Sequence, residues 1–282
     1  AYICLESIAS YLSGWLVFKI GEIMGAIAWY FIPIRRRTVL RNLRIAFYDD
    51  YDLPTLRRMA RRTIIRSGGN LFSAAYTALL PASRIHEVLS AENQSLMEDS
   101  LSSGSGLVLL PSHMGNWEIL SRMNGMFPAG HLIGAFYRPL NNPLLNARVV
   151  RQRMVDGSQL FSKRDSLHHV AGFLRAGGII GILADQRVGP QGEMVRFFGR
   201  LTRASPLPSL MARRSKSAIL SMSLTTDRPG KWKVRYHQVK MPCKTTDCMT
   251  AIEQALKVSP IDVFWLQERW RVYVSRKCTI RD

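Results

Sequence analysis

Residues 104–118 read Gly104-Ser105-Gly106-Leu107-Val108-Leu109-Leu110-Pro111-Ser112-His113-Met114-Gly115-Asn116-Trp117-Glu118. A glycine-rich turn opens the stretch, the apolar run Leu107–Leu110 follows, and Pro111 stops it. A short continuous apolar run between turn residues reads as a strand buried on both faces. Leu132–Tyr137, Ile179–Leu183, Ala218–Leu224 and Trp232–Val239 are further strand candidates. Helical patterns separate them at Asn142–Met154, at Ser166–Ala176 (closed by Gly177-Gly178), at Pro206–Lys216 and at Thr250–Val258. Ser205 followed by Pro206 reads as an N-cap and a first helical residue. Strands alternating with helices predict an α/β fold, a mixed central sheet flanked by helices.

The same stretch holds the chemistry. Ligands of open α/β sheets sit at the carboxyl ends of strands, where His113 falls, and a histidine there can serve as a general base near neutral pH. Five residues turn an α-helix well past one revolution. His113 is therefore placed in the turn and Glu118 in the first helical turn, where its carboxylate can bond the imidazole. Gly115 lets backbones approach closely. By spacing alone such a pair is more often structural. No second His or Cys stands nearby at zinc-ligand spacing, and no Gly-x-Ser-x-Gly elbow precedes a helix.

The chain has 282 residues, with 39 Lys and Arg against 20 Asp and Glu, a net charge of +19, and 47% hydrophobic residues. That apolar content excludes a disordered basic tail, and four scattered cysteines exclude a disulfide scaffold; Cys243 and Cys248 read as free thiols. A folded basic protein points to an anionic partner: nucleic acid, an anionic membrane, or an acidic protein or phosphorylated substrate. Residues 7–34 are apolar and studded with Tyr11, Trp15, Phe18, Trp29, Tyr30 and Phe31, but Lys19 and Glu22 interrupt them, so no clean span exists. Arg35, Arg36, Arg37, Arg41 and Arg44 follow directly. We expect residues 1–34 to be a membrane anchor and 35–282 to be the body, with a basic helical part at 35–100 and an α/β core at 101–282. The body is expected to face the cytoplasm and to lie against the inner leaflet of the membrane. Residues 55–80 form an amphipathic basic helix, ended by Pro81.

His113-Met114-Gly115-Asn116-Trp117-Glu118 resembles the His-x4-(Asp/Glu) block of the glycerolipid and lysophospholipid acyltransferase superfamily, and more closely that of the bacterial late lipid A acyltransferases. Further blocks resemble that family in order: Tyr137-Arg138-Pro139 with Asn142-Pro143, Leu183-Ala184-Asp185-Gln186, Phe197-Phe198-Gly199-Arg200, Ser205-Pro206-Leu207-Pro208, and Phe264-Trp265-Leu266 with Arg269-Trp270. Asn42-Leu43-Arg44 with Ala46-Phe47 matches its start. The chain departs from the family at Tyr48, where Pro is usual, and at Gln267-Glu268-Arg269, where His-Arg-Arg is common.

The resemblance implies a glycerolipid acyltransferase-like fold and acyl transfer from an acyl-carrier-protein thioester, as co-substrate, to a hydroxyl of a phosphorylated glucosamine-disaccharide lipid. It implies His113 as base and Glu118 as its orienting carboxylate. Arg138 and Arg200 are implied phosphate binders, with Asn142 and Gly199 beside them and Asp185 holding one of the arginines. Gly199 is expected in a tight turn. No metal or organic cofactor is expected, and no nucleic acid. Trp117, Met126, Phe127, Phe161 and Phe173 are candidates for an acyl channel, although core packing suits most of them better. The rival readings are acylation of mannosyl phosphatidylinositol or another membrane lipid, and a non-catalytic basic protein that binds nucleic acid or anionic membrane.

Overall fold

The computed structural model describes residues 11–102, 104–162 and 165–270. In chain order its strands are β1 (Leu89–Glu92), β2 (Leu107–Pro111), β3 (Ile133–Phe136), β4 (Gln159–Phe161), β5 (Ile179–Gly181), β6 (Glu193–Phe197), β7 (Arg200–Ala204), β8 (Ala218–Arg228) and β9 (Lys231–Gln238). Seven form one sheet in the order β1-β9-β8-β2-β5-β3-β4, and β6 pairs with β7 as a separate hairpin. Within the large sheet only β8 and β9 run antiparallel. Every residue of β2 is buried, so this central strand carries an unbroken apolar run instead of an alternation. The mixed sheet flanked by helices is the architecture the sequence predicts.

The helices are α1 (Gly14–Phe31), α2 (Pro33–Phe47), α3 (Leu53–Leu79), α4 (Gln94–Leu101), α5 (Pro143–Arg153), α6 (Leu167–Arg175), α7 (Leu207–Ser215) and α8 (Thr245–Lys257). Asp52 caps α3, accepting from the Thr55 N–H, and α3 stops before Pro81 as expected. Several boundaries differ from the sequence reading by one to five residues, and for two of them the cause is visible. Helix α8 starts at Thr245, not Thr250, because the Asp247 carboxylate accepts the Lys244 N–H and secures an extra turn. Helix α7 starts at Leu207, whose N–H is accepted by Ser205 Oγ at 3.3 Å.

Helices α1 and α3 cross at backbone contact. A Cβ on Gly21 would lie 2.4 Å from the Gly68 carbonyl oxygen, and one on Gly25 would lie 2.7 Å from that of Ile64. Glycines at i and i+4 on α1 thus meet the backbone of α3 directly. The opposite side of α1 stays uncovered: Ile23, Met24, Ile27, Tyr30 and Phe31 are exposed, as is Ile34 just beyond. No single described helix is long and apolar enough to cross a bilayer; α1 and α2 together reach that length but turn through 97° at their junction.

Candidate active site

Register builds the site. Strand β2 lies beside β5 with Leu109 opposite Gly181. Continued for four residues on each strand, that alignment puts His113 opposite Asp185. The two side chains meet, with His113 Nδ1 2.7 Å from Asp185 Oδ1. The His113 backbone N–H also donates to Asp185 Oδ2 at 3.1 Å. A carboxylate accepts only, so Nδ1 carries a proton, and in the neutral imidazole the lone pair is on Nε2. Nε2 has no hydrogen-bond partner among the described residues.

Asp185 is fully buried and His113 partly open. Arg269 completes the cluster, donating from one nitrogen to both the Asp185 carboxylate and its backbone carbonyl at 2.7 Å. Burial by itself would raise the Asp185 pKa; the charges on His113 and Arg269 and their hydrogen bonds outweigh it and hold the carboxyl well below the usual range. The Asp185 carboxylate therefore stays ionised behind the imidazole, with Arg269 as its counter-charge.

The expected hydrogen bond from the His113 imidazole to the Glu118 carboxylate is not formed. Both Glu118 oxygens are engaged by Arg153 at 2.8 to 3.0 Å, and Oε1 also accepts from Trp117 Nε1. Residues Trp117–Met126 form 3-10 turns instead of an α-helix, and Glu118 lies in the first of them, where it ties α5 to the core. Asp185 is likewise not the partner of Arg138 or Arg200; its arginine is Arg269.

The turn that carries His113 is clamped by the C-terminal segment. Phe264 N–H donates to the His113 carbonyl at 2.8 Å, Gly115 N–H donates to the Asp262 carbonyl at 2.9 Å, and Met114 bridges Val263. Gly115 sits at φ +56, and a Cβ there would lie 2.5 Å from the Leu224 carbonyl oxygen. Gly115→Ala should therefore cost roughly 2 kcal/mol or more of stability, read as a lower urea midpoint; a midpoint equal to that of the wild type would refute the close approach.

A pocket of about 330 Å³ opens at His113. Trp117, Phe127, Leu160, Ile133 and Ile179 make it largely apolar, while Glu118, Arg138, Arg153 and Gln186 supply polar groups. Arg138 has no hydrogen-bond or ion-pair partner among the described residues, and neither does the Gln186 amide. Of the proposed channel aromatics, Trp117 and Phe127 line this pocket, whereas Phe161 and Phe173 pack on each other in the core.

Three expected substrate-binding residues are not brought to this pocket. The Asn142 side chain caps α5, accepting from Leu145 N–H. Phe198 and Gly199, both at positive φ, form the two-residue turn of the β6–β7 hairpin, the geometry that such a tight hairpin demands. Arg200 stands next to that turn and is exposed. Cys243 and Cys248 are free and buried, and burial pushes the Cys248 thiol up to about 12. Among the described residues no three His, Cys, Asp or Glu side chains converge as metal ligands.

Arg269 and Arg153 were not assigned from the sequence. Arg269 stands in a block quoted for its resemblance, but only the return of the C-terminus to the sheet shows its role. Arg153 had one signal: it is a basic residue near the end of a helix that is polar for an element covering a core.

No curated protein matches the chain closely enough to be set beside it. A protein-family model described as bacterial lipid A biosynthesis acyltransferase matches residues 5–272. That span includes α1, the His113 turn, the strand end that supplies Asp185, and Arg269. An acidic group fixed behind a histidine at the mouth of an apolar pocket suits acyl transfer, and with a match over nearly the whole length the chain belongs to the bacterial lipid A biosynthesis acyltransferase family.

Proposed function

We propose that the protein moves a fatty acyl chain from an acyl-carrier-protein thioester to a hydroxyl of a phosphorylated glucosamine-disaccharide lipid. The supporting observation is the His113–Asp185 bond, which leaves Nε2 as the available nitrogen of a histidine that lines the pocket. Nε2 takes the hydroxyl proton as the oxygen attacks the thioester carbonyl. Asp185 holds the ring and balances the imidazolium that forms. The tetrahedral intermediate then expels the thiolate, which recovers the proton from His113. Arg138, uncommitted at the pocket, binds acceptor phosphate through two parallel hydrogen bonds. Glu118 positions Arg153 and α5 beside the pocket. Mass spectrometry of lipid A from cells lacking the gene should show one secondary acyl chain missing, restored on complementation; identical lipid A in both strains would overturn the proposal.

The same reading places the protein on the cytoplasmic face of the inner membrane. The exposed apolar stripe of α1 enters the interface, and the exposed arginines of α2 and α3 (Arg37, Arg44, Arg57, Arg58, Arg61 and Arg62) meet anionic headgroups. Deleting residues 1–34 would uncover the α3 face that α1 packs against, so point changes make the cleaner test. Ile23→Glu combined with Ile27→Glu should lower the membrane-bound to soluble ratio roughly tenfold or more. Undiminished pelleting in high salt would place the contact elsewhere.

A further inference from the structure

The floor of the pocket is made by alternate residues of three adjacent strands. Leu109 on β2, Gly181 on β5 and Ala135 on β3 stand in one row across the sheet, since Gly181 is paired with both of the others. The next row toward the amino ends pairs Ile179 with Ile133. The row toward the carboxyl ends holds Pro111 and Leu183, and beyond it come His113 and Asp185. Of these residues all but Asp185, which is buried behind His113, line the pocket. Rows on one face are two residues apart, about 6.6 Å along the strand. A chain that enters beside His113 therefore crosses Pro111 and Leu183, then Gly181, and meets the branched side chains of Ile133 and Ile179 at the far end.

Gly181 is the gap in this floor. Most glycines around it are there because nothing larger fits. A Cβ on Gly134 would lie 2.7 Å from the Phe161 ring, one on Gly178 2.3 Å from the Phe173 ring, and one on Gly106 2.1 Å from the Gly178 carbonyl oxygen. A Cβ on Gly181 would meet only Gly134 O at 3.9 Å and Pro111 Cγ at 4.0 Å, which is ordinary contact. Nor does Gly181 have a positive φ. Glycine inside a strand weakens it and commonly marks a place where a ligand comes close. Neither backbone geometry nor packing explains this one, and the space it leaves is pocket.

We infer that Gly181 sets the length of acyl chain the enzyme accepts, by leaving open the middle of the floor over which the chain lies. The inference rests on the acyl-transfer reading of the pocket. A methyl group at 181 narrows the passage, and a leucine closes the way to the Ile133–Ile179 row.

The test is a competition on the full-length, membrane-associated enzyme, with Gly181→Ala, Gly181→Val and Gly181→Leu. Equimolar saturated acyl-carrier-protein thioesters of increasing chain length are offered with a phosphorylated lipid A precursor, and products are resolved by mass spectrometry. The ratio of short-chain to long-chain product should rise in the order Ala, Val, Leu, reaching roughly tenfold or more at Leu. Because the readout is a ratio within one preparation, partial unfolding does not mimic it, and Ala is small enough to keep the series informative. Transfer with a chain-length profile unchanged across the series overturns the role of Gly181 while leaving the acyltransferase reading standing. No transfer of any chain by the wild-type protein overturns both.

Discussion

His113→Ala is expected to lower acyl-transfer turnover by roughly 10³-fold, about 4 kcal/mol of transition-state stabilisation, while the protein stays folded. The two halves of this expectation come from different features. Turnover falls because, among the described residues, no other base is placed at the pocket: Glu118 is occupied by Arg153 and Trp117, and Asp185 is sealed behind the imidazole. Folding survives because the buried Asp185–Arg269 pair is untouched and no charge is orphaned. The backbone N–H at 113, which also holds Asp185, is present in alanine too. Glu118→Gln provides the contrast. It loosens an ion pair that is about one-third exposed on the Glu118 side, of the kind worth at most about 1 kcal/mol, so its turnover should fall far less. Rates measured with acyl-carrier-protein thioester and lipid acceptor, beside urea unfolding, check both variants. Near wild-type turnover for His113→Ala would remove the base, and a loss for Glu118→Gln as deep as for His113→Ala would restore Glu118 to the centre of the chemistry.

That contrast also shows where sequence reasoning stops. The apolar runs that became β2, β5 and β8 are legible because these central strands are largely buried on both faces, whereas β9 alternates buried and exposed residues and β3 is half-buried. His113 and Asp185 are each legible as polar residues beyond such runs. Their partnership is not, because it depends on β2 lying beside β5, and 72 residues separate them. Glu118, five residues from His113, is the partner that local spacing suggests; the 3-10 turns and the pull of Arg153 take it elsewhere. β1 and the β6–β7 hairpin were missed for another reason. β1 is four residues long with weak alternation, and arginines occupy the outer positions of the hairpin, so neither reads as an apolar run. The N-terminal apolar stretch is half legible: its apolar residues show in composition, but Gly21 and Gly25 become a helix crossing only once Gly68 and Ile64 are found against them.

Asp185→Asn should reduce turnover by roughly 10²- to 10⁴-fold and, unlike His113→Ala, should also destabilise the fold. In the wild type one carboxylate serves His113 Nδ1, the His113 backbone N–H and Arg269. An amide of the same size offers one acceptor and one donor group. If its oxygen stays on Arg269, its NH2 faces Nδ1, which must then accept; the ring proton moves to Nε2, and no lone pair is left to take the hydroxyl proton. If the amide turns over, its NH2 opposes the guanidinium, donor against donor. Arg269 retains the Asp185 backbone carbonyl but, almost fully buried, loses its counter-charge, and removing one partner from such a pair costs roughly 3–5 kcal/mol. The pH dependence has a definite sign. Because the folded-state pKa of Asp185 is depressed, its contribution is complete above the ordinary aspartate value of 3.8 and is lost as pH falls through the folded value. The gap in unfolding free energy between wild type and variant should therefore stay level from neutral pH down to about that value and narrow below it. Turnover corrected for folded fraction then isolates the chemical step. Wild-type turnover per folded molecule would show that the ring needs no charge behind it, whereas a gap that persists unchanged into strong acid would show that the lost stability is packing and not the ionised carboxylate.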